Sequence, residues 1–547
     1  MHQFRPAVLI GLALPAFLAC DGGTKPDTSQ AGCTSSTPIT LAAGGSVILD
    51  ATVNGGCVQI PAAGPAGAQY LVAAVSAAPQ VVQNGISGSY TLTSGSVTTP
   101  APPGPGPSAG AAPKPDPATG FHFMLRARER ALAADPARRI PARPQLVPPA
   151  PPQIGDVRTF KVCSSTTCNS FVNVTATAQY VGARGAIYQD NTLPTGAGYT
   201  QGEIDQIGAL FDGASPNMYE IDTTAFGRES DLDANGVVII LLTPRVNLLS
   251  GSCNQTQTAI LGYFFGLDLV NDPNSNQGEI FYGLVPDPNN TTCTISRNFA
   301  LGFLPPTFIH EFQHMISFNQ HVLIRNGATE QTWLNEGFSH FAEELGGRQL
   351  PDAECPLFSS CLAQFAGLGD LANAQDYLTN TEASFLVYPG SSLGTIAERG
   401  ASWLFIRWLA DHFATDSILG TGFTRAMLQT NRTGAANLEA VTGETFATLV
   451  GQWQMANYLE GVPGFPNTSG RLTYRSWNLA QVYSPTYPLT PDGIVNGTYS
   501  RTGVLRAGSG HHALVTQAAN SDAVRLRLQG GSGFAGLVPR LAVARIR

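Results

Sequence analysis

Short apolar segments, each closed by a turn residue, run along the chain from Pro38 to about Leu92. Examples are "SVILDATV", "CVQIPA", "QYLVAAVS" and "GSYTLT". Runs of this length, bounded by Gly and rich in β-branched and aromatic residues, are typical of strands. They predict a small β-sandwich-like module over residues 38–97. A similar pattern returns near the end of the chain and predicts a C-terminal β module over residues 462–547.

The pattern changes between Ile154 and Gly461. Strand-like segments such as "SFVNVTATAQYV" and "GVVIILL" come first, and segments with helical spacing, such as "TFIHEFQHMISF" and "WLNEGFSHFAEEL", follow them. Strands followed by helices are the order of an α+β domain. The predicted fold class is therefore α+β, with one large domain over residues 154–461 between the two β modules.

Residues 98–153 are dominated by Pro, Ala and Gly and predict an extended linker. Within this linker, "FHFMLRARERALAAD" has the composition of a short basic helix. We expect this helix to lie against a folded domain. The alternative is a contact with a membrane surface.

The N-terminus is typical of an exported protein. A short region containing Arg5 precedes an apolar run that is too short to span a bilayer, and Cys20 follows in "FLAC", which resembles a bacterial lipobox. We expect a signal peptide over residues 1–20, a tether over residues 21–37, and attachment to the cell envelope through a lipid at Cys20. Secretion without a lipid is the alternative.

Composition excludes one class of partner and indicates a compartment. Only 12% of the 547 residues are charged and the net charge is −8, so we expect no binding of nucleic acid. Apart from Cys20 the chain has eight cysteines, which in an exported protein predict disulfides, most simply between sequential cysteines. The alternative is a four-thiolate zinc site built from "CSSTTC" and "CPLFSSC".

The stretch "PPTFIHEFQHMISFN" carries the candidate chemistry. In a helix, His310 and His314 are one turn apart and can bind one zinc ion through their ring nitrogens. Glu311 is turned by about 100° and is placed to act as a general base on water. This is an H-E-x-x-H arrangement.

A catalytic zinc site usually has three protein ligands. His321 does not fit the metzincin pattern, because Ser317 and Gln320 stand where Gly and His are required. Glu336 in "TWLNEGFSHFAEEL" lies 22 residues after His314, which leaves room for a turn and a second helix packed on the first. We therefore expect Glu336 to be the third ligand.

These segments resemble the gluzincin metallopeptidases, whose third zinc ligand is a glutamate on the following helix. "HEFQHMISF", "WLNEGFSHFAEEL" and "FGRESDLDANGVVIILLTPRVN" are most similar to the hyicolysin family of secreted neutral metallopeptidases. The resemblance implies a zincin-type domain that cleaves protein or peptide substrates. It also implies His310, His314 and Glu336 as ligands and Glu311 as the base. Alternatives are a surface-binding lipoprotein with a structural or inert zinc, and hydrolysis of a non-peptide bond.

Two further sites are expected, an oxyanion donor and a calcium-binding loop. The oxyanion of an acyl-transfer intermediate needs a donor, which we assign to Tyr388, with Tyr377 and His340 as alternatives. The resemblance to aminopeptidases gives no help here, because Ala397 stands where that branch has its tyrosine.

"DLDANG" resembles the start of a calcium loop through Asp231, Asp233 and Asn235, and the alternative is a polar turn. The segment "NQGEIFYGLV" is either the edge strand that pairs with substrate or an internal strand.

Overall fold

The computed structural model describes residues 33, 35–95, 117–137, 151–251, 259–417, 419–468, 470–494 and 499–547. The predicted signal peptide, Cys20 and most of the tether lie outside these residues. Within the described ranges, no helix combines the length and apolar character needed to cross a bilayer.

The described part of the chain is mixed α and β, as the sequence predicts. Its strands are β1 Thr37–Pro38, β2 Ser46–Asp50, β3 Cys57–Ile60, β4 Ala68–Ser76, β5 Ser87–Ser94, β6 Val157–Cys163, β7 Phe171–Val181, β8 Gly185–Asp190, β9 Val238–Leu242, β10 Gly262–Phe264, β11 Ile280–Gly283, β12 Asp492–Ile494, β13 Tyr499–Arg506, β14 Gly510–Gln517, β15 Val524–Gly530 and β16 Pro539–Arg545.

Its α-helices are α1 Pro117–Ala134, α2 Gln201–Asp212, α3 Met218–Phe226, α4 Pro244–Leu249, α5 Arg297–Phe318, α6 Thr332–Gln349, α7 Asp370–Thr379, α8 Ile396–Phe413, α9 Thr421–Leu428, α10 Gly434–Thr442, α11 Phe446–Leu459 and α12 Leu479–Val482. Short 3₁₀ or π turns lie at Val53–Gly56, Gly266–Leu269, Asn319–Ile324, Asp352–Glu354, Ala363–Gly367, Thr381–Ala383 and Phe534–Leu537.

Strands from the two ends of the chain share the same sheets. One sheet has the order β1-β3-β15-β5-β13 and the facing sheet has the order β12-β14-β4-β16-β2. The sequence predicts two separate β modules, whereas the structure forms a single sandwich from both segments. The reason is that alternation of side chains identifies a strand but carries no information about which distant strand pairs with it.

The central strand β4 joins this sandwich to the rest of the molecule. Tyr70, Val72 and Ala74 belong to the core between the two sheets. The alternating residues Leu71, Ala73 and Val75 belong to the large core that also contains α11. Because successive side chains of a strand point to opposite faces, β4 is buried on both sides and reads as a continuous apolar run.

The large domain contains a sheet of order β10-β11-β9-β8-β7-β6, in which β8, β9 and β11 are parallel neighbours. The strand of "NQGEIFYGLV" is β11, which lies between β10 and β9 and is therefore internal. The two edge strands of this sheet are β10 and β6. The β10 edge runs beside helix α5, which carries both candidate histidines.

Helix α5 begins earlier than the sequence suggests. It starts at Arg297, where the Ser296 side chain accepts a hydrogen bond from the Phe299 backbone N–H, and it continues through Pro305 and Pro306. Helix α6 packs on α5 in the opposite direction, since Ser339 lies beside His314 and Glu343 lies beside His310. The predicted pair of packed helices is thus present.

A helix also forms inside the predicted linker. Helix α1 covers "FHFMLRARERALAAD" and lies against the large domain, as expected from the sequence. Residues 98–116 and 138–150 of the linker lie outside the described residues. Phe121 and Leu125 on α1 are fully buried, so the helix is an integral packing element of this structure.

The cysteines pair in sequence order where the structure describes them. Disulfides join Cys33 to Cys57, Cys163 to Cys168, and Cys355 to Cys361. Cys293 is also disulfide-bonded, while Cys253 lies outside the described residues. The alternative of a four-thiolate zinc site is therefore wrong, because its four cysteines form two of these disulfides.

Glu382 links the large domain to the sandwich. It accepts hydrogen bonds from Arg501 (3.0 Å) and the Val504 backbone N–H (3.1 Å), and His511 lies 3.4 Å away. Burial opposes its ionisation, but the hydrogen bonds from His511 and Arg501 lower the pKa of Glu382 from 4.5 to about 2. Its stabilising effect is fully present above pH 4.5 and is lost as the pH falls towards 2.

We therefore expect Glu382→Gln to lower the free energy of unfolding at pH 7 by about 1–3 kcal/mol. The difference between the variant and the natural chain should shrink below pH 4.5 and vanish near pH 2. Urea unfolding at several pH values measures it. Glu444→Gln is the control, since Glu444 forms a half-exposed pair with Arg471 and should cost less. Equal losses at pH 7 and pH 3 would contradict the assignment.

Candidate metal centre

Helices α5 and α6 bring three predicted ligands to one point. Nε2 of His310 lies 3.7 Å from Oε2 of Glu336, and Nε2 of His314 lies 3.5 Å from Oε1 of Glu336. Ligands about 2.0–2.2 Å from a tetrahedral ion are about 3.4 Å apart. The spacing of His310, His314 and Glu336 therefore fits a metal ion, and two imidazoles with one carboxylate is a donor set of catalytic zinc sites.

Partners on α6 orient both imidazoles. Nδ1 of His310 lies 2.7 Å from Oε1 of Glu343, which leaves Nε2 directed at Glu336. The Ser339 hydroxyl lies 3.1 Å from Nδ1 of His314 and donates to the Gln313 side chain at 2.6 Å. Such partners fix the ring orientation and the tautomer of a metal-binding histidine.

Glu343 serves two histidines. Its Oε1 lies 3.0 Å from Nδ1 of His340, which in turn lies 2.9 Å from Oδ1 of Asp370. Burial lowers the basicity of His340, but the two carboxylates outweigh it and raise the pKa of His340 to about 10. His310, His340 and Glu343 could also hold a metal ion by proximity. Their separations of 2.7 and 3.0 Å are those of hydrogen bonds.

We expect Glu343→Gln to reduce zinc affinity by about 10- to 100-fold, because the neutral amide holds His310 less firmly than the carboxylate does. Competition with a chromogenic chelator measures the affinity. Glu354→Gln, on an exposed turn, is the control and should leave it unchanged. An unaltered affinity in Glu343→Gln would show that the Glu343 contact does not support the metal.

The carboxylate of the predicted base, Glu311, is buried and contacts strand β10 and helix α1. Its Oε2 accepts a hydrogen bond from the Phe264 backbone N–H at 3.0 Å, and its Oε1 lies 3.5 Å from Nδ1 of His122. Burial raises the pKa of Glu311 to about 7, partly offset by Arg126 and His310. A pKa near neutrality suits a group that accepts and then returns a proton at pH 7.

Arg399 is a residue of the site that sequence reasoning missed. Burial opposes ionisation of Glu336, but the nearby His310 and the charges of His314 and Arg399 lower the pKa of Glu336 well below its usual value. Nε and Nη2 of Arg399 are buried and have no hydrogen-bond partner among the described residues. No motif spacing marks this arginine, which lies two positions after Ala397.

The structure gives the Tyr388 hydroxyl local partners. It donates to the Glu398 carbonyl oxygen (3.0 Å), and the Ser402 hydroxyl lies 2.7 Å away, both on α8. The alternative Tyr377 accepts from the Gln454 side chain, and His340 faces carboxylates. A catalytic role for Tyr388 stays a prediction.

If Tyr388 stabilises the oxyanion, Tyr388→Phe should lower turnover at least tenfold with zinc retained, since one donor typically contributes about 10²–10³ to the rate. Steady-state kinetics and zinc content measure both properties. Ser402→Ala, which removes a partner of this hydroxyl, separates packing from catalysis. An unchanged rate in Tyr388→Phe would show that the hydroxyl only binds Glu398 and Ser402 of α8 and has no role in catalysis.

The acidic turn expected to bind calcium has internal partners. Asp231, Asp233 and Glu279 lie close enough to share an ion. The Asn235 side chain, however, donates to Asp233 at 2.8 Å and accepts from the Val237 backbone N–H at 2.8 Å, and Arg158 lies 3.8 Å from Asp233. The Asn235 amide and the Arg158 guanidinium thus already interact with the Asp233 carboxylate, so the arrangement does not support a calcium site.

Comparison with known proteins relates the chain to a metalloprotease. No protein-family model matches the chain. Over 238 residues it is 26% identical to the neutral metalloprotease ShpI of Staphylococcus hyicus. The match covers 43% of the chain and 50% of ShpI, so the chain spans about half the length of this relative. The similarity and the ligand cluster together support a metallopeptidase.

Among solved structures, the chain is similar to an M1 zinc metallopeptidase from Deinococcus radiodurans, crystallised as a mutant bound to a Tyr-Ser-Ala substrate. The identity is 13%, and the match covers 55% of this chain and 60% of that one. The TM-score of 0.28 is too low to establish a shared fold.

Proposed function

We propose that this protein is a zinc-dependent endopeptidase that hydrolyses peptide bonds of extracellular proteins. The observation that carries the proposal is the convergence of His310, His314 and Glu336, with the Glu311 carboxylate next to His310 on the same helix. Held by the first three side chains, Zn²⁺ would polarise the carbonyl group of a bound peptide and acidify water.

The chain's own residues supply the proton transfer. Glu311 accepts a proton from the attacking water and delivers it to the leaving amine, for which its pKa of about 7 is suited. Glu343 and Ser339 hold the rings of His310 and His314 in their orientations during this cycle. Hydrolysis therefore needs no covalent intermediate on the protein.

The edge of β10 supports an endopeptidase. Both the N–H and the C=O of Phe264 point away from the neighbouring strand, to Glu311 and Arg126. An extended peptide can pair with such groups as an added strand, and pairing of this kind does not require a chain terminus. The substrate class we propose is therefore an unfolded or extended segment of protein.

A structural zinc site would close the coordination with a fourth protein ligand. Among the residues described, three donors surround the point between α5 and α6, while Oε1 of Glu343 is hydrogen-bonded to Nδ1 of His310. This donor count supports a catalytic ion over an inert one.

We also propose that the protein is exported and anchored at Cys20. The disulfides between sequential cysteines support an oxidising compartment. Mass spectrometry of the mature N-terminus would detect a lipidated Cys20, and an intact residue 1–20 segment would reject export.

Casein cleavage by the zinc-loaded chain, starting after Cys20, tests the activity. We expect cleavage within the casein chain, its loss on dialysis against a chelator, and its return when zinc is added back. A protein that binds zinc and casein without cutting would instead be the surface-binding lipoprotein with an inert site. Cleavage that survives full metal removal would overturn the proposal.

A further inference from the structure

Helix α1 lies on the free edge of β10, where an extended substrate would pair. Nη2 of Arg126 donates to the Phe264 carbonyl oxygen at 2.9 Å. The Gly266 backbone N–H donates to Oε1 of Glu129 at 2.9 Å. Phe264 is the last residue of β10, and Gly266 opens the 3₁₀ turn that follows the strand. Arg126 of α1 thus takes the donor position of a bound peptide at Phe264, and Glu129 of α1 holds the turn directly after the strand.

The same helix reaches the candidate base. Nδ1 of His122 lies 3.5 Å from Oε1 of Glu311, and Nη2 of Arg126 lies 4.0 Å from its Oε2. The side chain of Glu311 is only 2% exposed, and that of His314 is also 2% exposed. His122 and Arg126 of α1 are thus among the groups that cover the buried carboxylate of Glu311.

The contact between α1 and β10 includes buried charged and aromatic side chains. Arg126 and Glu129 form an ion pair at 3.2 Å, each with 4% of its side chain exposed. Phe121 packs edge-on against Tyr263 of β10 with ring centroids 5.0 Å apart. Buried charges are costly unless they are paired and hydrogen-bonded. Here the pairing lies within α1, and the hydrogen bonds of Arg126 to Phe264 and of Glu129 to Gly266 join the pair to β10 and to the turn that follows it.

We propose that α1 is an autoinhibitory segment, which occupies the peptide-binding edge of β10 and covers Glu311 until it is displaced or removed. The inference rests on the proposed peptidase function and adds its regulation. Segments rich in Pro and Ala flank α1 on both sides in the sequence, over residues 98–116 and 138–150. Cleavage or extension there leaves the folded parts joined, because β4 and β5 pair with strands near the end of the chain.

The first test compares two arginines on the same helix. Arg126→Ala removes the bond to Phe264, whereas Arg128→Ala removes bonds to Cys168 and Asn169, away from β10. Binding of a fluorescent unfolded casein fragment is measured by anisotropy on chelator-treated full-length proteins, which cannot cut it. We expect Arg126→Ala to bind at least tenfold more tightly than the natural chain, and Arg128→Ala to bind within twofold of it.

The second test does not depend on the folding of a variant in α1. Recognition sites for a specific protease are placed in residues 98–116 and 138–150, and α1 is excised from the zinc-loaded protein and removed on a sizing column. We expect casein cleavage to rise at least tenfold after excision, with thermal unfolding confirming that the remainder stays folded.

The outcomes separate the two ideas. Equal casein binding by Arg126→Ala and Arg128→Ala, or cleavage that is unchanged or lost after excision, would overturn autoinhibition by α1. If no form cuts casein but Arg126→Ala binds it more tightly, the peptidase function fails while the occlusion of β10 stands.

Discussion

Replacing Glu311 by Gln is expected to leave the metal bound and to lower peptide hydrolysis by about 10²–10⁴-fold. The amide keeps the size of the side chain and can still accept from the Phe264 backbone N–H. It cannot take a proton from water or pass one to the leaving amine. Casein cleavage and zinc content, measured on the same preparation, check both halves of the prediction.

Glu330→Gln is a matched control for this change. Glu330 is also a buried glutamate whose pKa burial raises to about 7, but its partners are the backbone N–H groups of Gln331 and Gly434. The control should retain metal and activity. Normal turnover in Glu311→Gln would show that another group is the base.

Replacing Glu336 by Gln is expected to abolish cleavage by a different route, through loss of the metal. Oε1 and Oε2 of Glu336 face His314 and His310 respectively, so one carboxylate completes the ligand set. A neutral amide is a poor zinc ligand, and loss of a direct ligand should cost more than the about 10- to 100-fold that loss of a supporting partner costs. Zinc content after dialysis against a graded chelator measures the affinity.

Excess zinc distinguishes the two variants. It should partly restore cleavage in Glu336→Gln, whose defect is metal affinity, and should leave Glu311→Gln inactive. Circular dichroism confirms that α5 and α6 remain packed. Full zinc retention in Glu336→Gln would move the metal to the alternative group of His310, His340 and Glu343.

Helix α1 contacts the residue that is changed in the Glu311 variant. Since Arg126 and His122 both approach Glu311, a substitution of Glu311 also changes the contacts that keep α1 in place. Measuring the Glu311 variant with α1 excised isolates the chemical effect from the change in access.

The candidate site was predictable to the extent that its chemistry is local. His310 and His314 are brought together by one turn of helix, which follows from their spacing of four residues. The position of Glu336 required one further assumption, a second helix packed on the first, and the structure shows that packing. The same packing brings Glu343 and Ser339 close to the histidines. Which residues of α6 face α5 depends on the register between the two helices, and the sequence does not give that register.

Other residues carried no signal that sequence spacing could reveal. The charge of Arg399 on α8 acts on Glu336, and His122 and Arg126 approach Glu311 from a helix in the linker. These groups are far from the site in the sequence, and nothing in the composition of "FHFMLRARERALAAD" distinguishes a helix beside the candidate site from one on any other surface.

By itself, the sequence determined the elements whose cause lies within a few residues: the helical turn that places His310 beside His314, the alternating strands, the helix in the linker and the disulfides between neighbouring cysteines. Tertiary structure alone decided which elements meet. It placed β4 between β14 and β16, left β10 at one edge of its sheet, and placed α1 against that edge. The physical reason is that backbone geometry limits local conformation, whereas pairing between distant segments is selected by burial and hydrogen bonding in the whole fold.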